Sequence, residues 1–371
     1  MARGPLFVFG TLLDPELRGT VLGHDVAAVP AVLIGHRVER SRAGDWPILA
    51  ARAGARTEGL LLDADATALD RAHFYEAGFG YLPETAEVEA GGPLRALIYR
   101  APEGAGSGES WSLDRWQVSH GALTRATAAR AMAMYGSATP EELRFRMPTL
   151  RARVFSELQA ARTPVPRTLR ADIHRDRVRV LSHDTPYCHY FALAETRLRH
   201  PLFGGDLSPE ILRAGFHGGD AVTVLPYDPA RGRVMLIEQF RYGPWLRGDL
   251  YPWALEPIAG RVDPGETPDR TARREAREEA GLEIGALHEV GCYYASPGAV
   301  TEYVTSYVGL ADLPDAAEGI GGLDAEAEDI RAHVITFRRL MDLLDSGEVD
   351  TGPLMVSVLW LERERNRGRF A

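Results

Sequence analysis

The sequence contains no lysine: all 42 basic residues are arginine, set against 52 acidic ones, for a net charge of -10. A chain that is acidic overall lacks the broad basic surface that nucleic-acid backbones require, which excludes general nucleic-acid binding as a first reading. Cysteine is almost absent too. Cys188 and Cys292 are too few for a disulfide framework or a thiolate metal cage, although a single pair stays geometrically open. No apolar run approaches the roughly 18 residues of a membrane span. The opening MARGPLFVFGTLLD has too short an apolar stretch, and no small-residue cleavage pattern, for an export signal. Together these absences read as a soluble, cytoplasmic protein with neither a membrane nor a nucleic acid as partner.

What is present is globular in kind. Hydrophobic residues make up 45 % and charged residues 25 % of the chain, a mixture that builds cores and argues against disorder or collagen-like repetition. At 371 residues the chain is long enough for two or three domains, and its charge falls into three blocks. Residues 1–117 carry 11 arginines and 16 acids, 118–180 carry 12 and 5, and 181–371 carry 19 and 31. The middle block alone is basic.

The first block alternates short β-rich runs (Leu6 to Phe9, Ala31 to Ile34, Gly59 to Leu62, Leu94 to Tyr99) with Gly, Pro and Asp turn signals, the pattern of a small mixed α/β barrel or sheet. A Gly/Ser-rich stretch from Glu103 to Glu109 predicts a flexible loop or linker, because glycine loses the most backbone freedom on ordering. Ser119 to Ala161 reads as helical, with an N-cap at Thr139 before Pro140, Glu141 and Glu142. It forms an arginine-rich connector whose positive face either packs against its acidic neighbours or takes a phosphate-rich ligand. Pro164 and Pro166 mark a further boundary. The last block alternates strand and helix: Ala221 to Leu225 and Arg233 to Ile237 about a turn, a helix near 268–280, strands at Tyr303 to Gly309 and Ala332 to Phe337, and a helical stretch from Gly352.

The stretch richest in chemistry runs from Gly260 to Leu282. Thr267 suits an N-cap, Pro268 the first helical turn and Gly281 a left-handed stop, so local chemistry predicts a helix between them. At about 100° per residue, Glu275, Glu278 and Glu279 fall on one face. Crowded carboxylates repel unless cations intervene, and hard divalent ions take oxygen ligands of this kind. Arg270, Arg274 and Arg277 stand at helical spacings that would instead pair with these glutamates on a solvent-facing helix.

The complete spacing is Gly260, five residues, Glu266, seven residues, Arg274-Glu275, an aliphatic position, any residue, Glu278-Glu279, any residue, Gly281 and an aliphatic residue. It resembles the Nudix box at every specified position. The resemblance implies an α/β/α sandwich around a mixed sheet, and hydrolysis of a nucleoside diphosphate linked to another moiety. Over roughly Tyr190 to Leu361 it extends to the ADP-ribose pyrophosphatase branch through Phe203-Gly-Gly, Leu225-Pro-Tyr-Asp-Pro229, Leu236-Ile-Glu-Gln-Phe-Arg241, Glu256-Pro-Ile-Ala-Gly260, Ser296-Pro-Gly298 and Glu326-Ala-Glu-Asp-Ile-Arg331. What it implies for site residues is Mg²⁺, or alternatively Mn²⁺, held by Glu275, Glu279, the carbonyl of Ala259, Glu328 and, as a further ligand, Glu278. Glu326 would take the proton from the attacking water. Arg241 and Arg261 would contact substrate, unless Arg241 serves only as a strand-end ion pair. Tyr190, Phe191 and Arg213 match positions that in relatives reach the partner subunit's substrate, with Ser296, Pro297, Gly298 and Glu302 lining the same crossing, which implies a homodimer. The chain departs from the pattern at Gly218-Gly219, where some relatives carry another substrate arginine.

Phe7-Val-Phe9-Gly10-Thr11-Leu12-Leu-Asp14, with Ala68 to Glu76 later, resembles the gamma-glutamylcyclotransferase-like (AIG2-like) family. There the loop Phe9, Gly10, Thr11, Leu12 would offer backbone N–H groups to a substrate carboxylate, and Glu76 would act as acid/base in lactam formation. Phe9 stands where many members carry tyrosine. The expectation is therefore three parts, a cyclotransferase-like barrel (1–117), a helical connector (118–180) and a Nudix domain (181–371), hydrolysing ADP-ribose to AMP and ribose 5-phosphate. The alternatives are a cyclotransferase regulated by a nucleotide-binding Nudix half, and a non-catalytic ADP-ribose sensor.

Overall fold

In a computed structural model of the protein, residues 4–42, 44–102, 104–322 and 328–370 are described. Two units emerge rather than three blocks. The first runs to Pro166 and takes in Cys188–Tyr190; the second holds Arg167–Tyr187 and the chain from Phe191 onward. The helical segment after 118 is thus no free-standing connector.

In the first unit, strands β1 (Gly4–Val8), β2 (Ala28–Ser41), β3 (Gly44–Ala64), β4 (Leu82–Glu89), β5 (Pro93–Arg100) and β6 (Gly106–Ser110) pair in the order β3-β1-β5-β4-β2-β6. β2 also pairs with β3, which closes the path into a barrel. The β1–β5 pair is parallel and its neighbours antiparallel, so the barrel is mixed. Alternating residues point inward, and Phe7, Leu33, Leu49, Val88 and Ile98 form its core. β6 overturns the expectation of a flexible linker from Glu103 to Glu109, of which Glu103 lies outside the described residues. The side chains of β2 catch this segment: Glu39 accepts from the Gly108 amide at 2.9 Å and Arg37 donates to the Gly108 carbonyl at 2.7 Å. Those bonds offset the entropy that glycine loses on ordering.

Helices α1 (Pro15–Leu22), α2 (Ala66–Gly78), α3 (Leu113–Trp116), α4 (Ala122–Met132) and α5 (Pro140–Ala160) complete this unit. α5 begins with the expected cap: Thr139 and Glu142 form a reciprocal capping box. α4 is fastened by Asp14, which is only 1 % exposed. Its carboxylate caps α1 by accepting from the Leu17 amide at 2.9 Å. It also accepts from Arg125 at 3.1 and 2.8 Å and from Gln117 at 2.8 Å. The guanidinium holds this carboxyl far below the usual carboxylate range. One arginine of the basic segment, Arg125, thus ties it to the barrel through a buried acid.

In the second unit, β7 (Arg179–Cys188), β8 (Ala192–Arg199) and β9 (Ile211–His217) form a small sheet. The larger sheet holds β10 (Ala221–Asp228), β11 (Arg233–Phe240), β12 (Trp253–Glu256), β13 (Ile258–Arg261), β14 (Leu287–Tyr294), β15 (Tyr303–Leu310), β16 (Gly319–Gly321) and β17 (Ile330–Thr336). Its main path is β14-β15-β10-β11-β17-β16, with β12 paired to β11 and β13 to β10. The β10–β15 pair is parallel and the β10–β13 pair antiparallel, which makes the sheet mixed. On one face, Leu225, Tyr227, Val234, Leu236 and Val308 pack with residues of α8 (Phe337–Ser346) and α9 (Gly352–Asn366). Helix α7 (Pro268–Ala280) packs against β13 and β10, and a short α6 (Tyr242–Arg247) follows β11. The result is the expected Nudix-type α/β/α arrangement.

Removing the Asp14 carboxylate strands Gln117 and leaves Arg125 with Glu16, at 3.4 Å, as its remaining partner. Asp14→Ala should lower the stability of the first unit by about 2 to 4 kcal/mol in urea unfolding, with Asp14→Asn falling between it and wild type.

Candidate functional site

The carboxylate helix is α7. Pro268 opens it and Gly281 closes it in the left-handed conformation, as expected. Thr267 stands at the N-cap, but its hydroxyl donates to Asp269 at 2.5 Å instead of capping a backbone amide. Register then aims the helix: β13 lies antiparallel to β10 with Ala259 opposite Thr223 and Gly260 opposite Val222, which sets the Ala259-Gly260 backbone beside α7.

The three glutamates do not behave alike. Glu279, 3 % exposed, turns inward and accepts from the Ala259 amide at 3.2 Å. Glu275 lies against Gly260, where a Cβ would come within 1.9 Å of its Oε1, so glycine is required by the close approach. Glu278 is half-buried and accepts from Arg274 at 2.7 Å. Arg274 also reaches Glu275 at 2.8 Å, Glu266 at 3.1 Å and the Arg261 carbonyl at 3.4 Å. Glu266 in turn accepts from Thr271 at 2.8 Å. The box arginine thus orders the acidic face, while Arg277 pairs outward with Glu283 at 2.6 Å. The solvent-facing alternative fails at Glu279, which no arginine of the helix covers.

Burial pushes the Glu279 carboxyl up to about 8, with the charges of Glu275 and Glu328 adding to the rise. Burial pushes Glu275 to about 7, and Glu278 and Glu328 add to it. Glu328, half-buried beyond β16, is therefore within electrostatic reach of both. Desolvated carboxylates that raise each other's pKa are hard oxygen donors short of positive charge, and they suit a divalent cation. Among the described residues no three His, Cys, Asp or Glu side chains are gathered as a ready metal cage. Glu326 lies outside the described residues.

Arg241 donates to Glu256 at 2.6 Å, the strand-end ion pair held open above. Its charge also reaches Glu279 and Glu302, so the ion pair does not remove it from the site. Burial raises Glu302, and Arg261 and Arg241 oppose the rise. Ser296, Pro297 and Gly298 form an exposed turn. That turn is tied to β9, because the Phe216 amide donates to the Ala299 carbonyl at 2.7 Å and the Thr301 amide to the Phe216 carbonyl at 2.9 Å. Arg213 is exposed on β9, and Phe191 packs near Gly218. Tyr190 is exposed and belongs to the first unit, whereas Phe191 belongs to the second. Glu256 and Glu266 carry roles that their place in the motifs did not announce.

The first unit holds a separate cavity of about 240 Å³. Phe9, Thr11 and Leu12 line it from the loop after β1, and Glu76 lines it from α2. Gly10 adopts φ 66° and packs so tightly on Pro47 that a Cβ would meet its ring at 2.3 Å. Tyr75, Tyr81, Tyr99, Trp46, Trp116 and Phe79 make most of the remaining wall. Burial raises the Glu76 carboxyl to about 8, which keeps it protonated at neutral pH. Trp46, Tyr99, Trp116, Thr124 and Arg151 were not foreseen as site residues, since they stand far apart in sequence and share no motif.

An acidic helix laid against a strand backbone, with the charges of Arg241 and Arg261 close by, is an arrangement suited to a phosphoanhydride hydrolase. A family model of the NUDIX domain matches residues 218–354, and one of gamma-glutamyl cyclotransferase, AIG2-like, matches residues 6–118. The chain is 37 % identical over 197 residues to an ADP-ribose pyrophosphatase of Escherichia coli (strain K12), covering 53 % of this chain and 93 % of that protein. It is 34 % identical to an ADP-ribose pyrophosphatase of Haemophilus influenzae, over 50 % of this chain and 86 % of the relative. A GDP-mannose pyrophosphatase of Enterobacter sp. (strain 638) is 32 % identical over 40 % of this chain and 77 % of its own length. The chain belongs to the Nudix family: an ADP-ribose pyrophosphatase-like C-terminal domain fused to an AIG2-like N-terminal domain. It is a Nudix hydrolase acting on a phosphoanhydride-bearing nucleotide. Among the described residues no helix is long and apolar enough to cross a membrane.

The raised pKa of Glu76 has a signed consequence. Between the ordinary carboxyl value of 4.5 and about 8 the folded group keeps a proton that the unfolded one releases. The contribution of Glu76 to stability is therefore fully present below pH 4.5 and is lost as pH rises toward 8. Glu76→Gln should flatten that decline in thermal unfolding of the first unit followed from pH 4.5 to 8.5.

Proposed function

We propose that the C-terminal domain hydrolyses the diphosphate of ADP-ribose to AMP and ribose 5-phosphate with Mg²⁺, Mn²⁺ serving as a substitute. The observation that carries this reading is the pair Glu275 and Glu279, desolvated against the Ala259-Gly260 backbone and electrostatically coupled to Glu328. Glu275, Glu279, Glu328, the Ala259 carbonyl and, further out, Glu278 would hold the metal. When bound, a divalent cation neutralises pyrophosphate charge and positions the attacking water and leaving oxygen. The chain's own residues do the rest. Arg274 keeps Glu266, Glu275 and Glu278 in place, Arg241 and Arg261 face the substrate's phosphate or ribose oxygens, and Glu326 takes the proton from water.

Exposed Phe240, Tyr242, Trp245, Leu250, Tyr251 and Trp253 supply an apolar surface suited to a homodimer, through which Tyr190, Phe191 and Arg213 would reach a neighbouring substrate. The substrate is a free nucleotide, not a nucleic acid, and the free thiols of Cys188 and Cys292 suit the cytoplasm. In the N-terminal domain, Glu76 would serve as acid/base in a cyclotransferase-type reaction.

AMP release should be measured from ADP-ribose and, in parallel, GMP release from GDP-mannose, each with Mg²⁺. ADP-ribose should be the better substrate. Glu279→Gln and Gly260→Ala should each reduce turnover by about a hundredfold or more while leaving the circular dichroism spectrum intact. No AMP release from ADP-ribose would leave the sensor reading in its place. A wild-type rate in Glu326→Gln would remove that residue as the base. A lactam formed from a gamma-glutamyl compound by wild type, and lost in Glu76→Gln, is the corresponding outcome for the N-terminal domain.

A further inference from the structure

Of the polar side chains at the end of β11, Glu238 pairs with His333 at 2.8 Å and Arg241 with Glu256 at 2.6 Å, but the Nε2 of Gln239 makes no hydrogen bond among the described residues. Gln239 is only 7 % exposed. Its direction follows from the strand. Val234 and Leu236 pack on the face that α8 and α9 cover. Side chains alternate along a strand, so Met235, Ile237 and Gln239 point to the opposite face. The backbone stays extended through Arg241, whose amide donates to the Pro252 carbonyl at 2.8 Å, which puts Arg241 on that face as well. This is the face of the acidic helix. Ile237 stands opposite Ala332, Ala332 and Glu279 line one cleft, and the charge of Arg241 is felt at Glu279.

The neighbouring strand leaves the amide without a partner. Opposite Gln239 stands Ala254, whose methyl group offers no acceptor, and Glu256, two residues further along β12, gives its carboxylate to Arg241. A buried amide N–H without an acceptor costs free energy, and native proteins seldom keep one unless a ligand or water completes it. Methionine would fill nearly the same space without that cost.

We propose that Gln239 is a further substrate-contacting residue of the hydrolase, whose carboxamide N–H donates to a non-bridging oxygen of the nucleotide's diphosphate. The inference rests on the reading that Glu275, Glu279, Glu328 and Arg241 surround a diphosphate. The charges of that site account for the residue type. A lysine or arginine on this face would pair with the carboxylates that a metal ion must find free, and a glutamate would repel the diphosphate. A carboxamide donates without doing either. Held in place beforehand, it acts where negative charge collects and needs no reorganisation during the reaction.

The test compares the full chain with Gln239→Met, which keeps the length of the side chain and removes the donor, on ADP-ribose and GDP-mannose with Mg²⁺. Turnover of whichever nucleotide the wild type cleaves should fall about tenfold or more, with KM changed by less than about threefold. The melting temperature without nucleotide should stay equal or rise, because an orphaned amide has been removed and no bond within the protein is lost. A glutamine with a purely structural role gives the reverse. Wild-type turnover in Gln239→Met, a lowered melting temperature or a failure of the variant to fold would each overturn the assignment. Cleavage of neither nucleotide by the wild type would defeat the substrate reading alone. The side-chain amide resonances of Gln239 in the wild-type protein then decide, followed by NMR as the α,β-methylene analogue of ADP-ribose is added with Mg²⁺: a shift supports the contact, and unchanged resonances overturn it.

Discussion

A carboxyl group held out of water is costly in its charged form, and both halves of this protein are organised around that cost. Glu76 and Glu279 each reach about 8 through burial, but their surroundings differ. Glu76 stands among phenol and indole rings and is raised by burial, so it rests as a neutral acid. Glu279 has Glu275 and Glu328 within electrostatic reach and the charge of Arg241 opposing them. The same desolvation thus leaves a neutral acid in one domain and crowded carboxylates that favour positive charge in the other.

The second arrangement depends on backbone approach. Only a residue without a Cβ lets Glu275 lie on the strand at 260, and only the register of β13 against β10 puts Ala259 where its amide meets Glu279. The helix supplies the acids at fixed angular spacing, while the sheet determines which of them is buried. That division of labour explains why Glu278, one residue away, remains paired with Arg274 at the edge while Glu279 is enclosed.

The helix was legible because its determinants are local. Pro268, Gly281 and the period of the glutamates all lie within about four turns, and the box spacing carries the glycine as well. The barrel strands, the Thr139 cap and the strands of the larger sheet were legible for the same reason. What escaped the sequence was long-range. Gly106 to Ser110 looks like linker until Arg37 and Glu39, some 70 residues earlier, bind its backbone. The basic segment looks like a connector until Asp14 receives Arg125 across 111 positions. The cavity wall draws on residues from Phe7 to Arg151, and no local periodicity marks them.

The lack of lysine acquires meaning in these places. Arg274 touches three carboxylates and a carbonyl at once, and Arg125 grips Asp14 through two nitrogens. Arg71 spans the carbonyls of Thr20 and Val21, both at 3.0 Å, and so ties α2 to the end of α1. Each contact needs a planar fork with several donors in fixed directions, which a single ammonium cannot supply. Arg151 adds the fourth use, a cation that stacks on an indole and still presents an edge. Arginine at this position keeps the cavity positive at one end, where a buried ammonium would shed its proton more readily.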